Sequence, residues 1–275
     1  MNFDLHCHST ASDGLLKPAD LVARAAGNGV TALALTDHDE TAGLVEARAE
    51  AETRGLRFID GVEISVSWEG TTVHIVGLQI DPSNAELASG LESVRRSRAR
   101  RAEKMGEALD EAGIRGSLAG AKAYAKNPEI VSRTHFARFL VETGRAHDVR
   151  SVFQRYLVKG KPGYVPHEWA RLGEAVRWIR ASSGVAVIAH PGRYKLARRE
   201  MRRLLAEFKE HGGAGIEVVT GSHSPEHYGE FARLAREFGL LGSRGSDFHG
   251  DGESRADLGA LPRLPEDLKP VWHDW

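Results

Sequence analysis

Short apolar runs that alternate with amphipathic stretches are the feature that most limits how this chain can fold. Strand-like runs occur at residues 3–7, 30–36, 57–65, 71–80, 184–190, 214–220 and 240–247. Helical spacing lies between most of them, with start and stop residues such as Pro18 and Gly27 around the first such segment. A strand followed by a helix, repeated along the chain, is typical of parallel sheets. The pattern predicts the α/β fold class and a barrel-like body.

The middle of the chain breaks this alternation. Residues 81–165 show helical patterns and no convincing strand, and within them 84–113 fits either one long helix or two. We therefore expect a helical insertion at 81–165 that divides the barrel into a first part, 1–80, and a second part, 166–275. The Pro-rich, aromatic end of the chain predicts a strap packed on the body.

The formal net charge of −1 conceals an asymmetry between these parts. Residues 81–165 hold 16 Lys+Arg and 10 Asp+Glu, a net of +6, and the remaining residues hold 21 and 28, a net of −7. A positive segment suits an anionic ligand. Much of the excess comes from the run RRSRARRAEK at 95–104, which we interpret as a solvated helix face because such runs usually are.

Composition and the N-terminus exclude several classes of protein. The single cysteine, Cys7, rules out an intrachain disulfide, and we expect it to be buried as a small apolar side chain. The start MNFDLHC has neither a basic region nor a long apolar region, and no run approaches the roughly 18 apolar residues of a membrane span. We expect a cytoplasmic protein with no membrane partner and no obligate protein partner.

Side chains that commonly bind metals follow the ends of almost all predicted strands. His6 and His8 are two residues apart in a strand, so they point to the same face and can share a metal; two solvated histidines at a strand end are the alternative. The carboxyl ends of strands in a parallel barrel meet at one rim, so we expect the whole set to converge there. The set comprises His6, His8, Asp13, His38, Glu63, His74, His190, Asp247 and His249.

The order and spacing of these motifs resemble the PHP (polymerase and histidinol phosphatase) phosphoesterases. The matching pieces are HCH at 6–8, Asp13, TDHD at 36–39, GVEIS at 61–65, His74, AHP at 189–191 and SDFH at 246–249. The resemblance implies a distorted (β/α)7 barrel with a site for two or three metals. The stretches SRTHFAR and KPGYVP look like the branch that removes the 3′-phosphate of nucleoside 3′,5′-bisphosphates and also degrades short RNA from its 5′ end.

The resemblance implies three metal positions. The first would be held by His6, His8, Glu63 and Asp247, the second by Asp13, His38 and His249, and the third by His74 and His190, with Glu63 bridging the first and third. Catalytic roles, through a metal-activated hydroxide that attacks phosphorus, are implied for His6, His8, Asp13, His38, Glu63, Asp247 and His249. Asp13 stands where some relatives have histidine, which favours Mn²⁺ or Mg²⁺ over Zn²⁺; we expect Mn²⁺, with Zn²⁺, Fe²⁺ and Mg²⁺ as alternatives.

Substrate selectivity must come from residues outside the metal set. We expect Arg133 and Arg193 to hold the phosphate that is not cleaved, because guanidinium groups bind phosphate in bidentate fashion; a loop salt bridge is the alternative for Arg193. Ser132, His135 and His223 are further candidates. Their alternatives are a helix N-cap for Ser132, core packing for His135 and a solvated loop position for His223. Glu217 is expected to be a salt-bridge partner inside the barrel.

The sequence thus predicts a phosphoric monoester hydrolase whose partner is a nucleoside 3′,5′-bisphosphate or the 5′ end of a short RNA. One alternative is a histidinol-phosphate phosphatase, which the positive insertion disfavours because that substrate carries an amino group. The other is a non-catalytic nucleotide-binding PHP domain, which the complete set of metal-binding side chains disfavours.

Overall fold

The computed structural model describes residues 1–275, and seven of its strands form one mixed, barrel-shaped sheet. The strands are β1 (Phe3–Asp4), β2 (Ala32–Leu35), β3 (Arg57–Trp68), β4 (Thr71–Leu78), β5 (Ala170–Arg171), β6 (Val185–Ile188), β7 (Gly215–Thr220) and β8 (Leu241–Gly245). They pair in the order β1-β2-β3-β4-β6-β7-β8, and the two-residue β5 pairs with β3 outside this path. The predicted distorted barrel is therefore confirmed.

Contacts between the first and last strands bring the sheet close to closure. The Leu5 amide donates to the Arg244 carbonyl at 3.0 Å, and the Asp247 amide donates to the His6 carbonyl at 2.8 Å. Cys7 forms a parallel bridge with Phe248, and its buried thiol contacts the Ala34 carbonyl at 3.2 Å. Near-closure leaves few unpaired backbone groups at the sheet edges and brings the first histidines beside the last strand.

One strand runs against the others. β4 pairs antiparallel with both β3 and β6, whereas β1, β2 and β3 are mutually parallel and so are β6, β7 and β8. The alternation of residue types in β4 predicted a strand but contained no information about its direction. Because of this reversal, the amino-terminal half of β4 lies at the rim where the other strands end.

Nine α-helices complete the fold. They are α1 (Pro18–Gly27), α2 (Leu44–Arg54), α3 (Ala85–Glu111), α4 (Ser117–Tyr124), α5 (Arg133–Glu142), α6 (Val149–Val152), α7 (Leu172–Ala181), α8 (Arg198–Glu210) and α9 (Pro225–Phe238). A π-helical turn at Phe153–Leu157 follows α6, and a 3₁₀ turn at Pro191–Arg193 follows β6. No helix combines the length and the apolar character that crossing a bilayer requires.

The helix α3 joins two separate hydrophobic cores. Leu87, Leu91 and Val94 in its first half belong to the large core of the barrel and its helices. Met105 and Leu109 in its second half belong to a smaller core formed by the helices of residues 102–157. The region 84–113 thus contains one continuous helix, and it is shared by both cores.

The arginine-rich run in α3 departs from the interpretation as a solvated face. Arg98 and Arg101 are buried, with 5% and 8% of their surface exposed, whereas Arg96 and Arg100 face solvent. Our interpretation was wrong for Arg98 and Arg101 because both lie on the buried face of the helix, where the indole of Trp169 covers them.

The end of the chain packs as the predicted strap. Pro270 forms a bridge with Gly242 in β8, and the Trp272 ring stacks on Phe3 with ring centroids 4.3 Å apart. The strap therefore covers the amino-terminal end of β1, at the opposite end of that strand from His6 and His8.

Candidate metal centre

The rim at the carboxyl ends of the parallel strands collects the nine predicted metal-binding side chains. His6 and His8 follow β1, His38 follows β2, His190 follows β6, and Asp247 follows β8. His74 reaches the same rim because β4 is reversed and places it opposite Ser65.

Glu63 occupies a different position in its strand from the one predicted. The sequence suggested that the third strand ends just after Glu63, but β3 continues to Trp68 as one arm of a hairpin with β4. A parallel bridge between His38 and Glu63 nevertheless puts the carboxylate level with the end of β2. Glu63 thus points into the rim from the middle of a long strand, which holds it rigidly.

The Glu63 carboxylate lies at the centre of the cluster. Its Oε1 is 2.9 Å from His74 Nδ1, 2.9 Å from His190 Nε2 and 3.4 Å from His6 Nε2. Its Oε2 is 2.8 Å from His38 Nδ1 and 3.4 Å from His8 Nε2. One fully buried carboxylate therefore contacts five histidines, four of them from three strand ends and one from β4.

A second grouping forms around Asp13, which comes from the loop after β1. Asp13 Oδ1 lies 3.4 Å from His249 Nε2 and 3.8 Å from His38 Nε2. Its other oxygen, Oδ2, accepts a hydrogen bond of 2.9 Å from the Ser132 hydroxyl. The carboxylate is thus fixed on one side and directs its free oxygen at two imidazoles.

The donor atoms fit divalent cations. The side chains form four groups, and within each group the ligand atoms lie within 4.8 Å of one another. The groups are His8, Asp13, His38 and His249; His6, His190 and Asp247; His6, His8 and Glu63; and His38, Glu63 and His74. Asp13 Oδ1 and Asp247 Oδ1 are buried without any hydrogen-bond partner. Mixed imidazole and carboxylate donors suit Zn²⁺, Mn²⁺ and Fe²⁺.

These groups overlap with the expected metal positions but differ from them in membership: Asp247 groups with His6 and His190, and His38 groups with Glu63 and His74 as well as with Asp13 and His249. His8 also joins the ligand atoms of the expected second site. The ligand atoms of His74 and His190 do not fall in one common group, although both contact Glu63 Oε1.

The pKa values of the three carboxylates of the cluster, Glu63, Asp13 and Asp247, are held below their usual range. Burial raises the pKa of Glu63, but His74, His38 and His6 outweigh it and hold that pKa well below its usual range. For Asp13, burial is likewise outweighed by His38 and His249. Three anionic groups in a water-poor site create a strong demand for positive charge.

Two of the histidines are held neutral, the form that coordinates a metal. Burial, followed by the nearby His249 and His38, lowers the pKa of His8 to about 3. Burial and the positive charge of Arg193 lower the pKa of His190 to about 3. A neutral imidazole keeps one N–H and offers the lone pair of its other nitrogen to a metal.

A buried carboxylate behind the rim orients two of the histidines. Glu217 in β7 contacts His6 Nδ1 at 2.8 Å with Oε1 and accepts a 2.5 Å hydrogen bond from the His190 amide with Oε2. His190 has a positive φ of 26°, a conformation that L-residues rarely adopt, and the bond to Glu217 helps to hold it. The prediction that Glu217 is a salt-bridge partner inside the barrel is borne out by these contacts.

The helical segment places Ser132 and His135 at the start of α5. Ser132 is the N-cap and accepts a 3.1 Å bond from the Thr134 amide, while His135 Nδ1 accepts a 3.0 Å bond from the Ser132 amide. These two residues thus form a capping box, the alternative given for Ser132. For His135, which is buried, the geometry matches its structural alternative.

The two predicted phosphate-binding arginines have different surroundings. Arg193 Nη1 donates to Asp247 Oδ2 at 2.8 Å, so it forms the loop salt bridge given as its alternative, with half of its side chain still exposed. Arg133 has no carboxylate partner; its guanidinium lies over the Phe153 ring, 5.5 Å from the centroid.

His223 is buried beneath the 3₁₀ turn that carries Arg193. Its Nε2 accepts a 3.0 Å hydrogen bond from the Gly192 amide, and its Nδ1 contacts the Val218 carbonyl at 3.0 Å. Both ring nitrogens are therefore occupied by backbone groups. A solvated loop position, the alternative given for His223, is wrong, because the ring also stacks on Phe231.

Sequence reasoning missed the two buried arginines of α3. Arg98 donates to Asp39 and, at 2.8 Å, to the Ser65 hydroxyl, and so joins α3 to the residue after His38 and to the strand that carries Glu63. Arg101 lies over the Trp169 ring, 5.3 Å from its centroid. The available signal was their spacing, in step with Leu91, Val94 and Met105 on the buried face.

Comparison with known proteins places these features in context. Residues 4–221 match the PHP domain family. The chain is 52% identical over 273 residues to a 3′,5′-nucleoside bisphosphate phosphatase of Chromobacterium violaceum, covering 99% of this chain and 96% of that protein. It is 44% identical over 275 residues to the 5′-3′ exoribonuclease Rnm of Escherichia coli, covering 99% and 93%. A structure of an amidohydrolase from C. violaceum, solved with bound sulfate and without metal, has 52% identity and a TM-score of 0.97, covering 100% of this chain and 95% of that one.

Proposed function

Because the chain belongs to the PHP domain family, we propose that it is a phosphoesterase that hydrolyses the 3′-phosphate of nucleoside 3′,5′-bisphosphates. It is a phosphoric monoester hydrolase, like the C. violaceum relative that is half identical to it over nearly its whole length. The observation that carries this proposal is the convergence of nine imidazole and carboxylate side chains at one rim, with Glu63 at their centre. An excess of buried anionic oxygens of this kind has no role in packing.

The cluster would hold two or three divalent cations, and we propose Mn²⁺ as the ion used, because Asp13 adds an oxygen ligand to the second group. Bound divalent ions lower the pKa of water and neutralise the charge that develops on phosphoryl oxygens. Glu63 would bridge the ions, Asp13 and Asp247 would each direct one unpaired oxygen at them, and Glu217 would keep His6 oriented.

The arginines would bind the substrate outside the metal cluster. We propose that Arg133 and Arg193 hold the phosphate that is not cleaved. Arg133 is free of carboxylate partners, and Arg193 is half exposed beside Asp247. Ser132 and His135 support this role indirectly because they fix the first turn of α5, from which Arg133 extends. The helical segment 81–165 would thus be the substrate-binding part of the molecule.

Exoribonuclease action on short RNA is a second activity of the same site, supported by the relative from E. coli. Hydrolysis of a 3′-phosphate and removal of the first nucleotide of an RNA break the same bond, between phosphorus and O3′. Each cut of this kind leaves a new 5′-phosphate on the remaining RNA, so the product is again a substrate. Nucleotides and RNA are found in the cytoplasm, where we place the enzyme.

A comparison of two nucleotides tests the proposal. Adenosine 3′,5′-bisphosphate should be a far better substrate than adenosine 3′-monophosphate in the metal-loaded protein. Each charge-assisted contact contributes roughly 1.5–3 kcal/mol, so Arg133→Ala should lower kcat/KM for the bisphosphate about 10- to 100-fold. The slow reaction of the monophosphate should change little, because the metal cluster is intact.

Arg145→Ala removes the same charge from an exposed position of the same segment and serves as the control. If Arg133→Ala lowered kcat/KM for both substrates to the same extent, Arg133 would have a structural role. Faster hydrolysis of histidinol phosphate than of any nucleotide would refute the substrate class. Absence of turnover with every phosphate ester, despite full metal loading, would favour a non-catalytic nucleotide-binding domain.

A further inference from the structure

Arg138 in α5 is a buried cation whose hydrogen bonds reach two residues outside the helical segment. Only 7% of its side chain is exposed. Its Nε and Nη2 donate to the two carboxylate oxygens of Glu253, both at 2.8 Å, and Nη2 also donates to the Asp13 carbonyl at 2.6 Å. A bidentate pair of this kind is strong and fixes its partner in direction as well as in distance.

The two partners of Arg138 belong to the two loops that supply Asp13 and His249 to the metal cluster. Asp13 lies in the loop after β1, and Glu253 lies four residues after His249 in the loop that follows β8. These loops also contact each other, since the Leu15 amide donates to the His249 carbonyl at 2.7 Å. The guanidinium of Arg138 therefore fastens both loops to α5 at once.

The loop after His249 forms a closed turn that links Glu253 to the imidazole. The Ser254 hydroxyl accepts hydrogen bonds from the His249 amide at 2.7 Å and from the Gly250 amide at 3.2 Å. The Ser254 amide in turn donates to the Gly250 carbonyl at 3.1 Å. A displacement of Glu253 would therefore move the backbone of His249 with it.

Asp13 is held by α5 through a second contact as well. Its Oδ2 accepts a bond of 2.9 Å from Ser132, while its carbonyl accepts from Arg138. The partners of the other two carboxylates of the cluster, Glu63 and Asp247, lie outside residues 81–165. The helical segment thus supports one part of the metal cluster and not the whole of it.

We propose that Arg138 is a positioning residue for the metal position to which Asp13 and His249 contribute. It sets the affinity of that position by holding the two loops together, and it does not affect the positions around Glu63. The inference rests on the proposed function only in taking the rim as a site for divalent cations, and it requires no turnover. Residues that orient metal ligands commonly control affinity, because a misplaced donor atom coordinates poorly.

Titration of the metal-stripped full chain with Mn²⁺ tests the inference without any nucleotide. Arg138→Met removes the charge and the three hydrogen bonds but keeps an extended side chain. It should weaken one Mn²⁺-binding step about 10- to 100-fold and leave the other steps unchanged. Elemental analysis after gel filtration should show one metal equivalent fewer than in the unaltered protein. Unchanged affinities, or an equal loss at every step, would overturn the proposal.

Asp13→Asn identifies the position that Arg138 supports. That change removes the ligand charge but keeps the carbonyl to which Arg138 donates. If both residues serve the same position, adding Arg138→Met to Asp13→Asn should remove no further metal, so the two effects should not add. A further loss of metal in the double variant would refute the assignment.

Arg24→Met is the matched control for Arg138→Met. Arg24 in α1 also binds the loop after β8, through Asp251 and Asp257 on either side of Glu253, and it makes no hydrogen bond with Asp13. Its loss removes the same charge and a comparable set of bonds to that loop, and Mn²⁺ binding should stay unchanged. Equal weakening in the two variants would show a general loosening of the loop and contradict a specific role of Arg138.

Glu253→Gln tests the same contact from the other side if Arg138→Met does not fold. It removes the carboxylate charge, leaves the Asp13 carbonyl paired with Arg138, and should weaken the same Mn²⁺-binding step to a smaller extent. Unchanged affinity in a folded Glu253→Gln would overturn the proposal. If these variants lose one metal position while the loaded, unaltered protein does not hydrolyse the bisphosphate, the proposed function fails and this inference stands.

Discussion

Glu63 is the side chain on which most of the candidate metal centre depends. It contacts five histidines through its two oxygens, whereas the His74 ring makes its one polar contact in the cluster with Glu63. Removal of Glu63 therefore disturbs two ligand groups at once, and removal of His74 disturbs one of them.

This difference predicts distinct metal contents. Purified Glu63→Ala should lose more than one metal equivalent in elemental analysis, and His74→Ala should lose one at most. Glu63→Gln keeps the shape of the side chain and removes its charge. If Glu63→Gln lost as much metal as Glu63→Ala, the charge of the carboxylate would be what holds the metal. Full metal content in Glu63→Ala would contradict the bridging role.

Individual residues also show where sequence reasoning succeeds. The metal-binding side chains could be predicted because most of them lie at the ends of predicted strands. A parallel barrel brings those strand ends together at one rim. Arg98 and Arg101 could not, because their burial depends on Trp169, which lies about seventy positions further along the chain. A local charge pattern contains no information about such a distant partner.

Among the elements, the short turn at residues 190–194 connects three parts of the site. Glu217 accepts a hydrogen bond from the His190 amide, and His223 accepts one from the Gly192 amide. The Tyr194 hydroxyl donates to the Ala189 carbonyl at 2.7 Å and accepts from the His74 amide at 2.8 Å. The packing is tight, since a Cβ at Gly192 would come within 2.8 Å of the His223 ring. The turn therefore presents His190 and Arg193 in one fixed arrangement.

Loss of the His223 contact should loosen that arrangement. His223→Phe keeps the stacking on Phe231 but leaves the Gly192 amide unpaired, which costs about 1–3 kcal/mol. We expect kcat/KM for the bisphosphate to fall about tenfold, with partial recovery in His223→Gln, whose side-chain oxygen accepts the same bond. His227→Phe is the control, because His227 adjoins the same aromatic ring without bonding to the turn. Equal effects of the two Phe variants would reject the positioning role.

The directions of the strands mark the limit of prediction at this scale. The strands and helices of the barrel could be read from periodicity, and most of their ends lie within a few residues of the predicted ones. The antiparallel course of β4 follows from its tight hairpin with β3 at Glu69 and Gly70. Nothing in the alternation of residues 71–80 distinguishes that hairpin from a crossover.

At the scale of the whole molecule, the two hydrophobic cores are joined through one helix and a buried ion pair. α3 contributes residues to both cores, and Arg98 binds Asp39 at the junction between them. A charged pair in this position is sensitive to the loss of either partner, because the other is left buried and uncompensated.

This architecture predicts one cooperative unfolding transition. All five tryptophans lie outside residues 81–165, so their fluorescence reports on the barrel, whereas circular dichroism also reports on the helices of the smaller core. The two signals should change at the same urea concentration. Arg98→Met should lower the unfolding free energy by about 3–5 kcal/mol, and Arg98→Met combined with Asp39→Asn should cost less than the sum of the single changes. Loss of the helical signal before the fluorescence change would contradict the coupling.

The continuous helix α3 has a consequence for how such enzymes diversify. Its 27 residues extend about 40 Å, from the far end of the reversed strand β4, past the rim, to the smaller core. The helices of residues 102–157 have their own apolar interior, so we expect that this part can be exchanged between relatives as one cassette while the metal-bearing barrel is retained. The helical phase is the restriction on such an exchange. One residue added or deleted before Arg98 would turn the cassette by about 100° and direct its buried arginines away from the rim.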